Sequence, residues 1–432
     1  MPKWQHMLIS RQAMESYSVR FFRWIPVVLL GLVTPGLRAA STASTGAAAD
    51  WEVVRHEGRD YVTVESLARF YDFPAKVPPV SAMMAASPTT PLTKKLLLQN
   101  GKHEIEFTVG QRLAVIDGVN QWLGFPVTVE GDKLIISRLD LVKTIEPSLR
   151  PELITGLGPV TTVVLDAGHG GHDKGAVCIF GNEKDFALDV CARARRLLEA
   201  KGLKVIMTRT DDTFIPLEER PSVANVTPHS IFVAIHFNDS LANQEASGFE
   251  IYSITPQGEP STQDKGLALH DLRAEPGNVT DAQSLALSES IYHSLLGNIP
   301  QVDRGVKRAR FAVIRLARVP AVLIEGGFVS STTEARQIAT PAYRQELAEA
   351  VVEGIEGFKT LAEHKVPPKL VAEWRHETGP GLQAGPIVQT GGASLITPTG
   401  AATVITHAGV GTGGEGTEGE KGTGGQAEKL LQ

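Results

Sequence analysis

The run LDAGHGGHDKGAV, Leu165 to Val177, ends a strand-like apolar stretch, TTVVL, in a carboxylate, then spreads two histidines and a second aspartate among four glycines. An imidazole freed of bulky neighbours at a strand end is suited to holding a metal ion or moving a proton. Three further groups occupy comparable places. His236 directly follows the apolar run IFVAI, Glu325 closes PAVLIE, and Glu183 opens a long amphipathic segment with Asn182 placed to cap it. Two imidazoles and one carboxylate form a ligand set for a catalytic zinc with the fourth position left to water, and the remaining carboxylate is then free to take a proton from that water. Either Glu183 or Glu325 can fill either part on spacing alone. Each group also has a plainer use: a histidine after a strand is commonly a surface residue, and a first-turn glutamate commonly a helix-dipole partner. Glu325 differs, because an unpaired charge at the end of an apolar run is costly. The glycine loop is neither GxGxxG nor a GK[ST] phosphate loop.

Such groups meet only if the elements bring them together. From Thr161 the chain alternates buried strands with amphipathic helices: TTVVLD, the helix KDFALDVCARARRLLEAKG, LKVIMT, a helix around PLEERPSVANV, SIFVAI and GFEIYS. A polar insertion follows, from Thr255 to Asp281, then the helix AQSLALSESIYHSLLGNI, the strand-like RFAVIR, PAVLIE and two more helices. This order predicts an α/β domain over 161–362, a three-layer, mostly parallel twisted sheet with helices on both faces. In such sheets, ligands and catalytic groups collect where loops converge at the carboxyl ends of the strands. The insertion is expected to overhang that crevice, as a substrate-binding loop or an autoinhibitory plug. Residues 51–150 read as a small α+β module of hairpins and short helices, with turns at Glu57-Gly58 and Asp117-Gly118.

The ends of the chain differ in texture. Arg20 and Arg23 precede the 13-residue apolar run WIPVVLLGLVTPG, and small residues follow, the order of a signal peptide over 1–40 with cleavage between Ala39 and Ala43 and Met14 a candidate start. The run is too short for a permanent membrane span. An exported protein of the periplasm or cell envelope is expected, with residues 41–50 a spacer. Residues 366–432 are rich in Gly, Thr and Pro and are expected to be disordered. A net charge of -6 without a basic stripe argues against nucleic acid as partner. The two cysteines, Cys178 and Cys191, form no disulfide framework and are taken as structural.

DAGHGGHDKGA, NEK, AIHFND and VLIEGGFVSS, with PLEERPSVAN and RGVKRARFAVIR, resemble the zinc-dependent N-acetylmuramoyl-L-alanine amidases of the bacterial cell wall, over about Thr161 to Phe358. The resemblance implies Zn2+ bound by His169, Glu183 and His236, with Glu325 as catalytic base, acting on peptidoglycan, with a protein activator as a further candidate partner. Asp166 is expected to support a metal-bound imidazole, and Asn238 and Arg304 to support the site or touch substrate. His172 falls at a variable position and is taken as a loop residue. Where the family reads DPGA this chain has Asp173-Lys174-Gly175-Ala176, and Phe237-Asn238-Asp239 stands where a small residue and Asn usually follow the histidine; both changes spare the ligands. YVTVESLARFYDF and IDGVNQWLGFPVTVEGDKLIISRLDL resemble the small domain first named from the N-terminus of copper amine oxidases, which implies an envelope-binding or spacer role. The alternatives to an amidase are a non-catalytic peptidoglycan-binding or amidase-regulating protein, and a zinc hydrolase of another envelope bond.

Overall fold

The computed structural model describes residues 51–74, 76–85, 94–240, 243, 245–371, 373 and 403–405. The expected signal peptide and spacer lie outside these residues. No helix among the described residues is long and apolar enough to cross a membrane.

Eight strands form the N-terminal part: β1 (Val53–His56), β2 (Arg59–Thr63), β3 (Lys95–Gln99), β4 (Glu104–Thr108), β5 (Leu113–Ile116), β6 (Val119–Trp122), β7 (Thr128–Glu130) and β8 (Lys133–Ser137). The expected turns are in place, Glu57-Gly58 joining β1 to β2 and Asp117-Gly118 joining β5 to β6. β4 shows why these segments are strands. Ile105 and Phe107 alternate inward while Glu104, Glu106 and Thr108 remain partly exposed, the period of a half-buried sheet.

The second part adds β9 (Thr162–Ala167), a two-stranded hairpin of β10 (Val177–Cys178) and β11 (Gly181–Asn182), then β12 (Lys204–Met207), β13 (Ser230–Asn238), β14 (Phe249–Ile254), β15 (Asp303–Ala309) and β16 (Ala321–Phe328). Strands β12, β9, β13 and β16 are mutually parallel in that spatial order, and β14 and β15 continue the sheet in the opposite direction. RFAVIR is not one strand. β15 stops at Ala309, and Ala312–Arg315 is a helical turn.

Helices Glu183–Ala200, Asp281–Asn298 and Pro341–His364 cover one face, packing Val190, Leu285, Ile291, Leu347 and Val351 onto Val163, Val233, Ile251 and Ile324. Full burial of each such side chain is worth about 1.5–3 kcal/mol, which fixes the sheet between rigid layers. Shorter pieces cover the other face, where Val313, Ile314 and Ala224 meet Phe232, Ala234 and Leu323.

β6 pairs in parallel with β15 at Gln121 and Val306, so β3–β6 of the expected α+β module continue the same sheet. Among the last residues, Val371 is buried in the main core with Val119, and β17 (Thr403–Ile405) pairs antiparallel with β3. The rest of the expected disordered tail beyond residue 373 lies outside the described residues.

The insertion also sits elsewhere than expected. Because β14 runs against β16, its carboxyl end at Ile254 points away from the ends of β9, β13 and β16. Residues after it contact the chain that leads into β16, with Thr280 Oγ1 donating to the Val319 carbonyl. A plug or substrate loop over the crevice is therefore excluded for this segment by strand direction. It braces the two halves of the chain instead: the guanidinium of Arg112 donates to the carbonyls of Pro260, Ser261, Thr262 and Asp264 at 3.1–3.3 Å. Arg112→Ala is expected to destabilise the protein by about 2–4 kcal/mol, because several part-buried carbonyls lose a charged donor together, a loss that thermal melts would register.

Candidate metal and catalytic centre

The backbone leaves β9 through Gly168 and places His169 in the left-handed region, φ 59°. For a non-glycine residue this costs about 1–2 kcal/mol and must be held by its surroundings. Two buried arginines hold it. Arg220 Nη2 donates to the His169 carbonyl at 2.9 Å and Arg209 Nη2 to the Gly168 carbonyl at 2.7 Å. Asp166 therefore has another task than expected. Its Oδ1 accepts from Arg220 Nη1 at 3.0 Å and from Thr208 Oγ1 at 2.6 Å, so it anchors the arginine that fixes the loop rather than an imidazole.

The imidazole partner is Asp173, whose Oδ2 lies 2.8 Å from His169 Nδ1. Its place four residues on in the same glycine loop was the available signal. Lys184, beside Glu183, steadies this loop by donating to the Gly171 carbonyl at 2.9 Å and to Asp212 at 2.6 Å.

His169, Glu183 and His236 are all buried, and one ligand atom from each lies within 4.8 Å of the others. Glu183 Oε1 is 2.9 Å from His169 Nε2 and 3.0 Å from His236 Nδ1, while Oε2 accepts from the Ala176 amide at 2.8 Å. Asn182 is the N-cap residue of the helix that Glu183 begins, but its side chain bonds Asp185 rather than the backbone. Burial pulls the His169 pKa down, yet hydrogen bonds to Asp173 and Glu183 outweigh it and raise the value to about 10. Burial likewise pushes Glu183 up, and the two imidazoles hold it well below the ordinary carboxylate range. Two buried nitrogen donors converging on a carboxylate fit a divalent cation of zinc type, since neutral imidazole and carboxylate are its ligands. His172 is exposed and lies against Phe214, away from this group.

The glycines are required by contact as well as by turning. A Cβ on Gly168 would lie 2.4 Å from His236 Cε1, and one on Gly175 would lie 2.4 Å from Glu183 Oε2. Gly168→Ala should therefore weaken divalent-ion binding about tenfold to a hundredfold, as loss of a ligand's support does, with little change in far-UV circular dichroism.

Protonation and ion binding compete at His169. In chelator-treated protein the folded pKa of about 10 exceeds the free value of 6.5, so the protonated imidazole's contribution is complete below about pH 6.5 and is lost as pH rises toward about 10. Melts of the chelated protein should fall over that window. Apparent ion affinity should rise with pH, with proton release on titration.

Glu325 lies beside the ligands because β13 and β16 are parallel neighbours: it is the register partner of His236. Both side chains leave the sheet on the face of Ala234 and Leu323, two residues before them. Glu325 is buried, and its Oε2 has no hydrogen-bond partner among the described residues. Burial first, then the charges of Glu183 and Glu250, raise its pKa well above the ordinary value, against His169 and Lys307.

Glu250 is, with Asp173, a residue that sequence reading missed. It stands opposite Glu325 on β14, and the signal was a glutamate inside the apolar run GFEIYS. Its Oε1 accepts from Asn238 Nδ2 at 2.9 Å and Tyr252 OH at 2.7 Å, and its Oε2 from Arg304 Nε at 2.8 Å and from Lys307 Nζ. Burial pushes its pKa up, but Lys307, then Tyr252 and Arg304, hold it at about 2. Asn238 and Arg304 are thus tied to the site through Glu250.

A buried His–Glu–His group that could hold a divalent metal ion, with a carboxylate in register beside it at the carboxyl ends of parallel strands, is the candidate centre of an α/β hydrolase. The model of the family described as N-acetylmuramoyl-L-alanine amidase matches residues 163–357. The amidase AmiA of Escherichia coli K12 is 31% identical over 254 residues, covering 54% of this chain and 87% of AmiA. The amidase AmiC of an O6:H1 strain of Escherichia coli is 32% identical over 219 residues, 45% of this chain and 52% of AmiC. The crystal structure of the N-acetylmuramoyl-L-alanine amidase from Clostridium difficile 630 is 30% identical, covers 46% of this chain and 96% of its own, and has a TM-score of 0.39. The chain spans about half the length of AmiC and most of AmiA. It belongs to the N-acetylmuramoyl-L-alanine amidase family.

Proposed function

We propose that this chain hydrolyses the amide between the lactyl group of N-acetylmuramic acid and L-alanine in peptidoglycan, as an exported enzyme of the periplasm or cell envelope that remodels wall or separates daughter cells. The observation that carries this is the convergence of His169, Glu183 and His236 within 4.8 Å with Glu325 in register beside His236. His169, Glu183 and His236 hold zinc in this reading, which when bound supplies Lewis-acid polarisation of the amide carbonyl and acidifies the attacking water. Glu325 takes the proton of that water. Standing in register beside His236, it then delivers that proton to the departing amine. Asp173 holds the His169 ring in place, and Arg220, anchored by Asp166, holds the backbone beneath it.

Mass spectrometry of digested peptidoglycan tests the assignment. Intact stem peptides released from unbroken glycans are expected. Cleavage at a peptide or N-acetyl bond would reassign the bond, and no products would leave a wall-binding or amidase-regulating protein. A protein activator is part of this proposal only as a partner outside the chain, since the 255–280 segment lies at the far end of the sheet.

A further inference from the structure

Arg304 stands out among the cations near the centre because it is clamped yet partly open. It begins β15, on the same end of the sheet as Glu325, with one strand between them. Its Nε donates to Glu250 at 2.8 Å, its Nη1 to the Ser247 carbonyl at 3.3 Å, and its guanidinium carbon lies 4.8 Å from the Phe328 ring centroid. The side chain remains 34% exposed, and Nη2 has no hydrogen-bond partner among the described residues. Lys307, by contrast, is 9% exposed and spends its charge on Glu250. Both cations serve Glu250, and the end of Arg304 is the part of the pair left open.

That end is a preorganised fork. With Nε on Glu250 and one N–H of Nη1 on Ser247, the second N–H of Nη1 and those of Nη2 remain to offer, in one plane, the paired donors that receive a carboxylate through two hydrogen bonds. Neighbouring strands lie about 4.8 Å apart, so the Arg304 backbone is about 10 Å from that of Glu325, and its side chain reaches back toward Glu250. An extended peptide advances about 3.3–3.6 Å per residue. Because the Arg304 side chain reaches Glu250, one strand spacing of about 4.8 Å from Glu325, its end lies within the span of one or two residues beyond the scissile amide.

We propose, resting on the amidase reading above, that Arg304 binds the free α-carboxylate of the second stem-peptide residue and thereby selects stem peptides in which that group is not amidated. The fork reads charge and planarity together. A carboxamide keeps the shape but presents one N–H group to a donor and lacks the charge.

The test uses two muramoyl peptides that differ only in whether the second-residue α-carboxyl is free or amidated. Binding is measured by calorimetry on full-length Glu325→Gln protein, and hydrolysis on protein with Glu325 intact. The free acid should bind about tenfold to a hundredfold more tightly than the amide, as expected for a charged hydrogen-bonded pair. Arg304→Met should remove that difference by weakening the acid alone. Arg304→Lys, which keeps a cation for Glu250 but loses the fork, should cut the preference about tenfold, and it decides the matter if the Met variant does not fold. Equal binding of acid and amide before Arg304 is changed, or equal weakening of both by Arg304→Met, overturns the proposal in favour of a purely structural role through Glu250. Preferential binding of the acid without any hydrolysis would instead overturn the amidase reading and leave the carboxylate site standing.

Discussion

Glu325→Gln should lower turnover on purified peptidoglycan about 10²- to 10⁴-fold, the range lost when a positioned general base is removed, while the metal content of the protein stays unchanged. The glutamine has the shape of the acid, so no cavity opens on β16. Its amide cannot accept the proton of the attacking water. The wild-type carboxyl already carries a raised pKa from burial and from Glu183 and Glu250, so folding loses little when it becomes permanently neutral, and melting temperature should hold or rise. Metal analysis and kcat on the same preparation check both halves. Turnover within tenfold of wild type would remove Glu325 from the role assigned to it.

His236→Ala should abolish stoichiometric metal binding and reduce activity at least as far as the base substitution. The loss begins in the apo protein. Glu183 is buried and is kept ionised by hydrogen bonds from both His169 and His236; with one imidazole gone, a buried carboxylate is left undercompensated, a change that costs about 3–5 kcal/mol when a buried pair is broken. The variant should therefore melt lower than wild type even in chelator. Glu183→Gln separates the two effects. It also removes the ion but removes the buried charge with it, so its chelated form should be the more stable of the two variants. Full metal content in His236→Ala would show that the ion is held elsewhere.

The residues proposed as ligands and base are legible in the chain because each breaks a local pattern. His169 and His236 follow apolar strands, Glu325 ends one, and Glu183 opens a helix, positions where a polar group is expensive unless it is used. Glu250 obeys the same logic inside GFEIYS but has no glycine loop or strand end to mark it, and only its register opposite Glu325 gives it meaning. Asp166 illustrates the reverse. Its position before the glycine loop suggested an imidazole partner, yet a buried arginine fifty-four residues away in the chain claims it at 3.0 Å. No local pattern encodes that pairing.

The amino-acid order by itself determined the alternation of strands and helices from Thr161, the parallel core of the sheet, and the residues able to bind a metal or move a proton, because burial periodicity and the cost of charge in apolar runs act over a few neighbouring residues. Tertiary structure alone decided the direction of β14, and with it that the 255–280 insertion braces the far end of the sheet. It also decided that β6 joins the N-terminal strands to β15 and that Asp173, not Asp166, holds His169. Those outcomes rest on contacts between segments distant along the chain, whose energies depend on which strand lies beside which and in which direction, a quantity no short window of residues contains.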